Sequence, residues 1–199
     1  MTRSTALGIA QVALLIALCA CASKPERLYT LHSVADTTNT PIAVSVAVGP
    51  VAIPAIVDSP AIILSVGPSE VQADDVAHWA SPLQDSIAHA VAGDLSALLG
   101  TERVTLSADT WSQAPDYRVA IEVERFESAP GEAATLDAVW TVRDSHDAVA
   151  REGRTTVREA TRGGGIGELA AAHSRALAQL SADIAAAIRA LGEPTSARR

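Results

Sequence analysis

Leu18-Cys19-Ala20-Cys21 closes an apolar run near the amino terminus and contains both cysteines of the 199-residue chain. A lipoprotein signal needs an aliphatic residue three before its cysteine and a small one directly before it, and Leu18 and Ala20 supply both for Cys21. Cys19 follows bulky Leu18 directly, so Cys21 is the expected lipid-attachment site and the first residue of the mature chain. Its thiol would be consumed as a thioether, and two or three acyl chains such as palmitate, at about 0.8 kcal/mol per buried methylene, would make the anchoring permanent. Arg3 gives the leader a positive start, and its apolar stretch from Ala6 to Leu18 is secretory in size and shorter than the roughly 20 residues that span a bilayer. An ordinary secretory signal or an uncleaved anchor is the competing reading of the same run. With no cysteine left in the body, a disulfide framework and a thiolate metal site are both excluded.

The remaining reactive side chains do not assemble. Ser145-His146-Asp147 has the residue types of a hydrolase triad, but neighbours in one turn cannot hydrogen-bond in series, and no Gly-x-Ser-x-Gly elbow accompanies them. The five histidines (His32, His78, His89, His146, His173) lack ligand spacing and read as solvated or edge-of-core residues. Gly163-Gly164-Gly165 is followed by Glu168 rather than Lys-Ser or Lys-Thr, so a hinge is expected there and not a phosphate cradle. Glu122 and Glu124 belong to the outward face of a strand. No enzyme, cofactor or metal is expected. Removing residues 1–20 takes away only Arg3, leaving 14 basic and 23 acidic residues, a net charge of −9. A body this acidic has no basic stripe for nucleic acid or for anionic lipid heads.

The elements that would position any site follow from periodicity. Leu28 to Leu31 is strand-like; Asp36 to Thr40 is a polar turn; Ile42 to Ile53 alternates until Gly49-Pro50 interrupts it as a bulge or bend. A strand is expected over Ala61 to Val66 and a short extended piece over Glu70 to Ala73. Ser81-Pro82-Leu83-Gln84 predicts a capping box with proline at the first helical position, opening a helix that carries Leu83, Ile87, Val91, Leu95 and Leu98 and stops at Gly100. After a short strand from Arg103 to Leu106 comes a three-strand meander: Tyr117 to Val123, Leu136 to Val142, and Val149 to Val157. A closing helix runs on Leu169, Leu177, Leu180, Ile184, Ile188 and Leu191 to Gly192. The expected fold is α/β: a single domain whose mixed sheet, with an antiparallel meander, is covered by two helices. The boundaries predicted are 1–20 signal peptide, 21–27 lipidated tether, 28–192 folded domain and 193–199 disordered tail. Trp79 before the first helix reads as a core plug or a partner anchor, and Asp58-Ser59-Pro60 first as a turn between strands.

Several of these motifs, in this order, resemble the PqiC-type auxiliary lipoproteins of ABC-type intermembrane transport systems. They are Leu28-Tyr29-Thr30-Leu31, the run VSVAVGPVAIP from Val44 to Pro54, Ile56-Val57-Asp58-Ser59-Pro60 with Ile62-Ile63, the box Trp79-Ala80-Ser81-Pro82-Leu83, Phe126-Glu127 with Pro130-Gly131, and LDAVW from Leu136 to Trp140. Two departures stand out, since the family often has arginine where Ser59 stands and another where Leu64-Ser65 stand. The resemblance implies a fold similar to the TolB amino-terminal domain. It also implies a non-enzymatic lipoprotein of the outer membrane, facing the periplasm beside an MCE-domain protein and its ABC permease and ATPase. The absence of Asp next to the cysteine agrees with outer-membrane export. The contact is expected through a sheet edge or the face around Trp79, with Asp58 and Pro60 as further partner-binding residues. A homo-oligomer is compatible with the sequence. The alternative is a periplasmic lipid- or small-molecule-binding carrier, which requires a closed apolar cavity between sheet and helices.

Overall fold

The computed structural model describes residues 25–37, 40–107 and 114–192. Cys19, Cys21, the leader, the start of the tether and the tail from 193 to 199 lie outside the described residues, as do two positions of the polar turn. Eight strands and two helices follow in the order β1 (Arg27–Tyr29), β2 (Val46–Ala52), β3 (Ala61–Gly67), β4 (Glu70–Trp79), α1 (Leu83–Leu99), β5 (Val104–Leu106), β6 (Tyr117–Ala129), β7 (Ala133–Asp144), β8 (Val149–Ala160) and α2 (Ile166–Gly192).

The long strand β6 organises the sheet. Along one edge it pairs with β7, which pairs in turn with β8, both antiparallel. On its other edge β2 runs parallel from Val46↔Tyr117 to Ala52↔Glu122, and β3 joins at Leu64↔Ser128. β5 extends the sheet beyond β2, and β4 and β1 extend it beyond β3. Between Glu122 and Ser128 that edge of β6 therefore pairs with neither β2 nor β3. The sheet is mixed, the meander is antiparallel, and both helices pack on one face, α1 over β2 and β5 and α2 over β7 and β8. This is the α/β architecture expected from the order of elements. No helix among the described residues is long and apolar enough to cross a membrane.

The inner face alternates as a half-buried sheet should. Val119, Ile121 and Val123 of β6 meet Leu136, Ala138, Trp140 and Val142 of β7 under the helices. A bulge between Val123 and Arg125 shifts the phase, so that Phe126, not Arg125, turns inward. A second bulge at the cis Gly49-Pro50 peptide shifts β2 against β6, as the interruption of its alternation predicts. The layer between sheet and helices is filled: Val48, Leu95, Leu177, Leu180 and Ile184 are all buried among these side chains.

Three local expectations are corrected. β4 runs ten residues to Trp79 rather than stopping at Ala73, because its paired edge tolerates the polar Asp74, Asp75 and His78 that hid the alternation. Pro82 occupies the cap of α1, with ψ at 134°, one position before the helical turn, and no capping box forms. The extended Pro82 carries Ser81 outside the turn, and its hydroxyl lies 2.8 Å from that of Ser86 instead. At the far end Gly100 is left-handed, with φ 66°, and its N–H donates to the Ser96 carbonyl at 3.0 Å. Any Cβ at Gly100 would also press on Pro41, 2.8 Å away. The third correction concerns His173, a member of the fully buried core rather than a solvated or edge residue.

Candidate functional site: a cleft beside the first strand

Asp58, Ser59 and Pro60 close the turn into β3, where the Ser59 N–H donates to the Val57 carbonyl at 2.9 Å and the Ser59 hydroxyl accepts from the Ala61 N–H at 3.2 Å. Pro60 then meets the end of β4 directly, its carbonyl accepting from the Trp79 N–H at 2.8 Å. On the other side of β4, Tyr29 of β1 stands opposite Trp79 and accepts from the Ala80 N–H at 2.8 Å. The three residues singled out from sequence thus converge. Asp58, Pro60 and Trp79 line one cleft of about 340 Å³, completed by Ser59, Pro82 and Leu83.

The indole answers to both readings of Trp79. It is 7% exposed and packs edge-on against Phe126 at 6.2 Å and 70°, which makes it a core plug, while its remaining surface lines the cleft. The lining offers one carboxylate, hydroxyls, prolines and an aromatic ring. Such a surface can bind a partial-apolar segment of a protein but holds no nucleophile paired with a base.

Elsewhere the reactive residue types remain apart. In the β7–β8 turn the Ser145 hydroxyl is 3.5 Å from His146 Nδ1, all three residues are exposed, and Asp147 takes a φ of 64°. Asp144, one residue earlier, makes the turn: its Oδ1 accepts from the N–H groups of His146 at 2.8 Å and Ala148 at 3.0 Å. His89 Nδ1 lies 2.8 Å from the Asp85 carbonyl on its own helix, and His78 faces Glu26 at 3.1 Å. No group of three or more His, Cys, Asp or Glu able to hold a metal occurs among the described residues. The triple glycine bends the chain ahead of α2, with Leu169 and Glu168 N–H groups donating to Gly165. On the outer sheet face Arg154 bridges Glu124 and Asp137, and this guanidinium, with help from Thr156, holds the Asp137 carboxyl below the usual carboxylate range.

Two buried polar features escaped sequence reasoning. Asp94 of α1 is fully buried and accepts from the Ser33 hydroxyl at 2.8 Å and from the Val34 and Ala35 N–H groups at 2.9 Å each. Ser181 of α2 also donates to it, at 3.3 Å. The segment leaving β1 is in this way stapled across both helices, and Gly93 makes room, since a Cβ there would lie 2.8 Å from Ser33. A signal existed: Asp94 follows Ile87 by seven and Val91 by three, which is the buried face of the helix. The second feature is His173, whose Nε2 lies 2.8 Å from the Ser128 hydroxyl on β6. Ser59 lines the cleft beside Trp79, and Ser65 lines a second cleft at the far end of β3.

The fold defines a class: a one-domain α/β protein whose mixed sheet carries two helices on one face. The model of the family described as ABC-type transport auxiliary lipoprotein component matches residues 29–185, and the chain belongs to this family. No curated protein sequence matches it. Among solved structures the chain is similar to an uncharacterized protein, with TM-score 0.67 and 17% identity over 83% of this chain and 99% of that one. It is similar also to protein XCC0632 from Xanthomonas campestris, with TM-score 0.67 and 23% identity over 80% and 92%. At these identities the likeness establishes the fold. The family's description makes the protein an auxiliary lipoprotein associated with an ABC-type transport system.

Proposed function

We propose that the protein is a non-enzymatic docking component, held to the outer membrane by lipid on Cys21 and facing the periplasm, for an MCE-associated lipid-transport system. The observation that carries this reading is the pairing of Tyr29 with Trp79. It builds the first strand after the proposed tether and the Asp58–Pro60–Trp79 cleft on one pair of neighbours. The lipid raises the effective concentration of that cleft near a spanning partner, and docking follows without any chemical step. Family membership, the lipoprotein signal and the acidic body agree with it. On this reading the mature chain begins at Cys21, residues 21–27 are the tether, and residues 28–192 are the docking domain.

The test is purification of the full lipidated chain from its own envelope, followed by identification of bound proteins. An MCE-domain protein should accompany the wild type. Asp58→Arg and Ser59→Trp, which reverse the charge and fill the cleft, should lose it while remaining in the membrane fraction. Recovery of the native chain with no MCE-domain protein would overturn the proposal.

A further inference from the structure

The free end of β1 has a direction. Arg27, Leu28 and Tyr29 run parallel beside Ala77, His78 and Trp79, so the chain enters β1 from the side of the β3–β4 turn at Gly67–Glu70. Cys21 precedes Arg27 by six residues, and Val71 precedes Ala77 by the same number. Each stretch spans about 20 Å when extended. On the anchoring proposed above, that length puts the hairpin end of the sheet within reach of a lipid-bearing Cys21, and this end would then face the membrane with the Trp79 end away from it.

The hairpin end carries the apolar surface this orientation requires. Val66 is 46% exposed, Val71 50% and Ile56 60%. Ile56 and Val71 form the mouth of a second cleft of about 340 Å³, with Val57, Ile63 and Phe126 also in its lining. The cleft exists because the edge of β6 between Glu122 and Ser128 has lost β2 and not yet gained β3. Its floor is braced, since Phe126 stacks on His173 behind it and meets Trp79 at its side. The volume is at the small end of the roughly 300–1,000 Å³ of ligand sites, suited to the headgroup-proximal stretch of one acyl chain and not to a whole lipid.

The rim selects among headgroups. Arg125 is paired to Glu127 at 2.7 Å, Glu124 shares Arg154 with Asp137, and Glu70 has no ion pair among the described residues. The rim is net acidic, with its one arginine already matched, so an ammonium head is complemented there and an anionic head is repelled.

We infer that this cleft takes one acyl chain of a zwitterionic, amine-bearing phospholipid of the membrane to which the chain is tethered. The inference rests on the anchor at Cys21 proposed above for its orientation, and on the cleft itself for its ligand.

The test uses the full lipidated chain in phosphatidylcholine vesicles containing a phosphatidylethanolamine whose acyl chain bears a photoactivatable diazirine. After irradiation, peptides holding Ile56-Val57 and Ile63 to Val71 should carry the label. Ser65→Trp, which fills the cleft, and Val71→Asp, a change at a half-exposed strand position, should each lose it. The same probe on phosphatidylglycerol should label these peptides less. Label spread over β8 instead, or unchanged in both variants, overturns the cleft; equal labelling by the glycerol head overturns the headgroup assignment. Intact mass of the same preparation reads the anchor separately. An acylated chain without cleft label sinks this inference alone, whereas an unacylated chain sinks the anchor together with the orientation drawn from it.

Discussion

Phe126 and His173 lie face to face, their ring centroids 3.8 Å apart and their planes within 7°. One ring comes from β6 just past its bulge, the other from the buried face of α2, and Trp79 meets Phe126 from the side at 6.2 Å. This aromatic stack joins the long helix to both clefts. Phe126 lines the hairpin cleft and Trp79 the one beside β1, so the two surfaces share a single rigid support.

That support is sensitive to acid. Burial pushes the His173 imidazole down to about 3, because charging it would place a cation among apolar side chains. An unfolded chain takes up the proton near 6.5, so over the window from about 6.5 to about 3 the unfolded state binds a proton that the native state refuses. Stability is complete above that window and falls as pH drops through it, by about 1.4 kcal/mol per unit at the steepest. Urea midpoints measured at about pH 7 and about pH 5 should differ in the wild type and differ less in His173→Phe. An identical pH dependence in the two proteins would show that His173 is charged or exposed in the native state.

Gly153 sits directly across from Trp140 in the β7–β8 ladder, and a Cβ there would overlap the indole. The ring cannot retreat cheaply, since its N–H donates to the Thr155 hydroxyl at 3.1 Å, which in turn donates to Asp183 at 2.6 Å. Gly153→Ala should cost about 1–3 kcal/mol by overpacking. A thermal melt would register this as a loss of roughly 2–4 °C per kcal/mol. An unchanged melting temperature would mean that the indole is not held as described.

Asp94→Ala removes the acceptor for three donors of the segment leaving β1 and leaves the Val34 and Ala35 N–H groups without it. We expect a destabilisation of about 1–3 kcal/mol, the usual worth of hydrogen bonds to a charged group. Amide hydrogen exchange should quicken at Val34 and Ala35 before it quickens in the meander. Exchange that rises evenly over the chain would argue for global loss and against a local staple.

The mature amino terminus is open to direct weighing. We expect the envelope-purified chain to lack residues 1–20 and to carry acyl mass on Cys21, and we expect Cys21→Ala to retain those residues. Cleavage of Cys21→Ala at the same place would mean that an ordinary secretory signal acts there.

Much of this arrangement is legible along the chain because it depends on neighbours. The period of 3.6 in α1 and α2, the period of two in the meander and the punctuation at Gly100 are local patterns, and local sterics and one-sided burial enforce them. The ordered motifs were enough to identify the family and to single out Asp58, Pro60 and Trp79, but not to bring them together. That required the carbonyl of Pro60 to meet the N–H of Trp79 nineteen positions later, a choice of strand partner made by packing. The same holds for Asp94, which reads as a flaw in an apolar face until Ser33, Val34 and Ala35 cross it. It holds for His173, which is inside only because Phe126 and Ser128 arrive from β6. The hairpin cleft is the clearest case, since no residue encodes it. It is the interval on one edge of β6 between two strands that reach it from different directions, and only the three-dimensional registers leave it empty. Sequence by itself determined the elements and the family; tertiary packing decided which polar groups are buried and where the sheet stays open, because those depend on contacts between residues far apart in the chain.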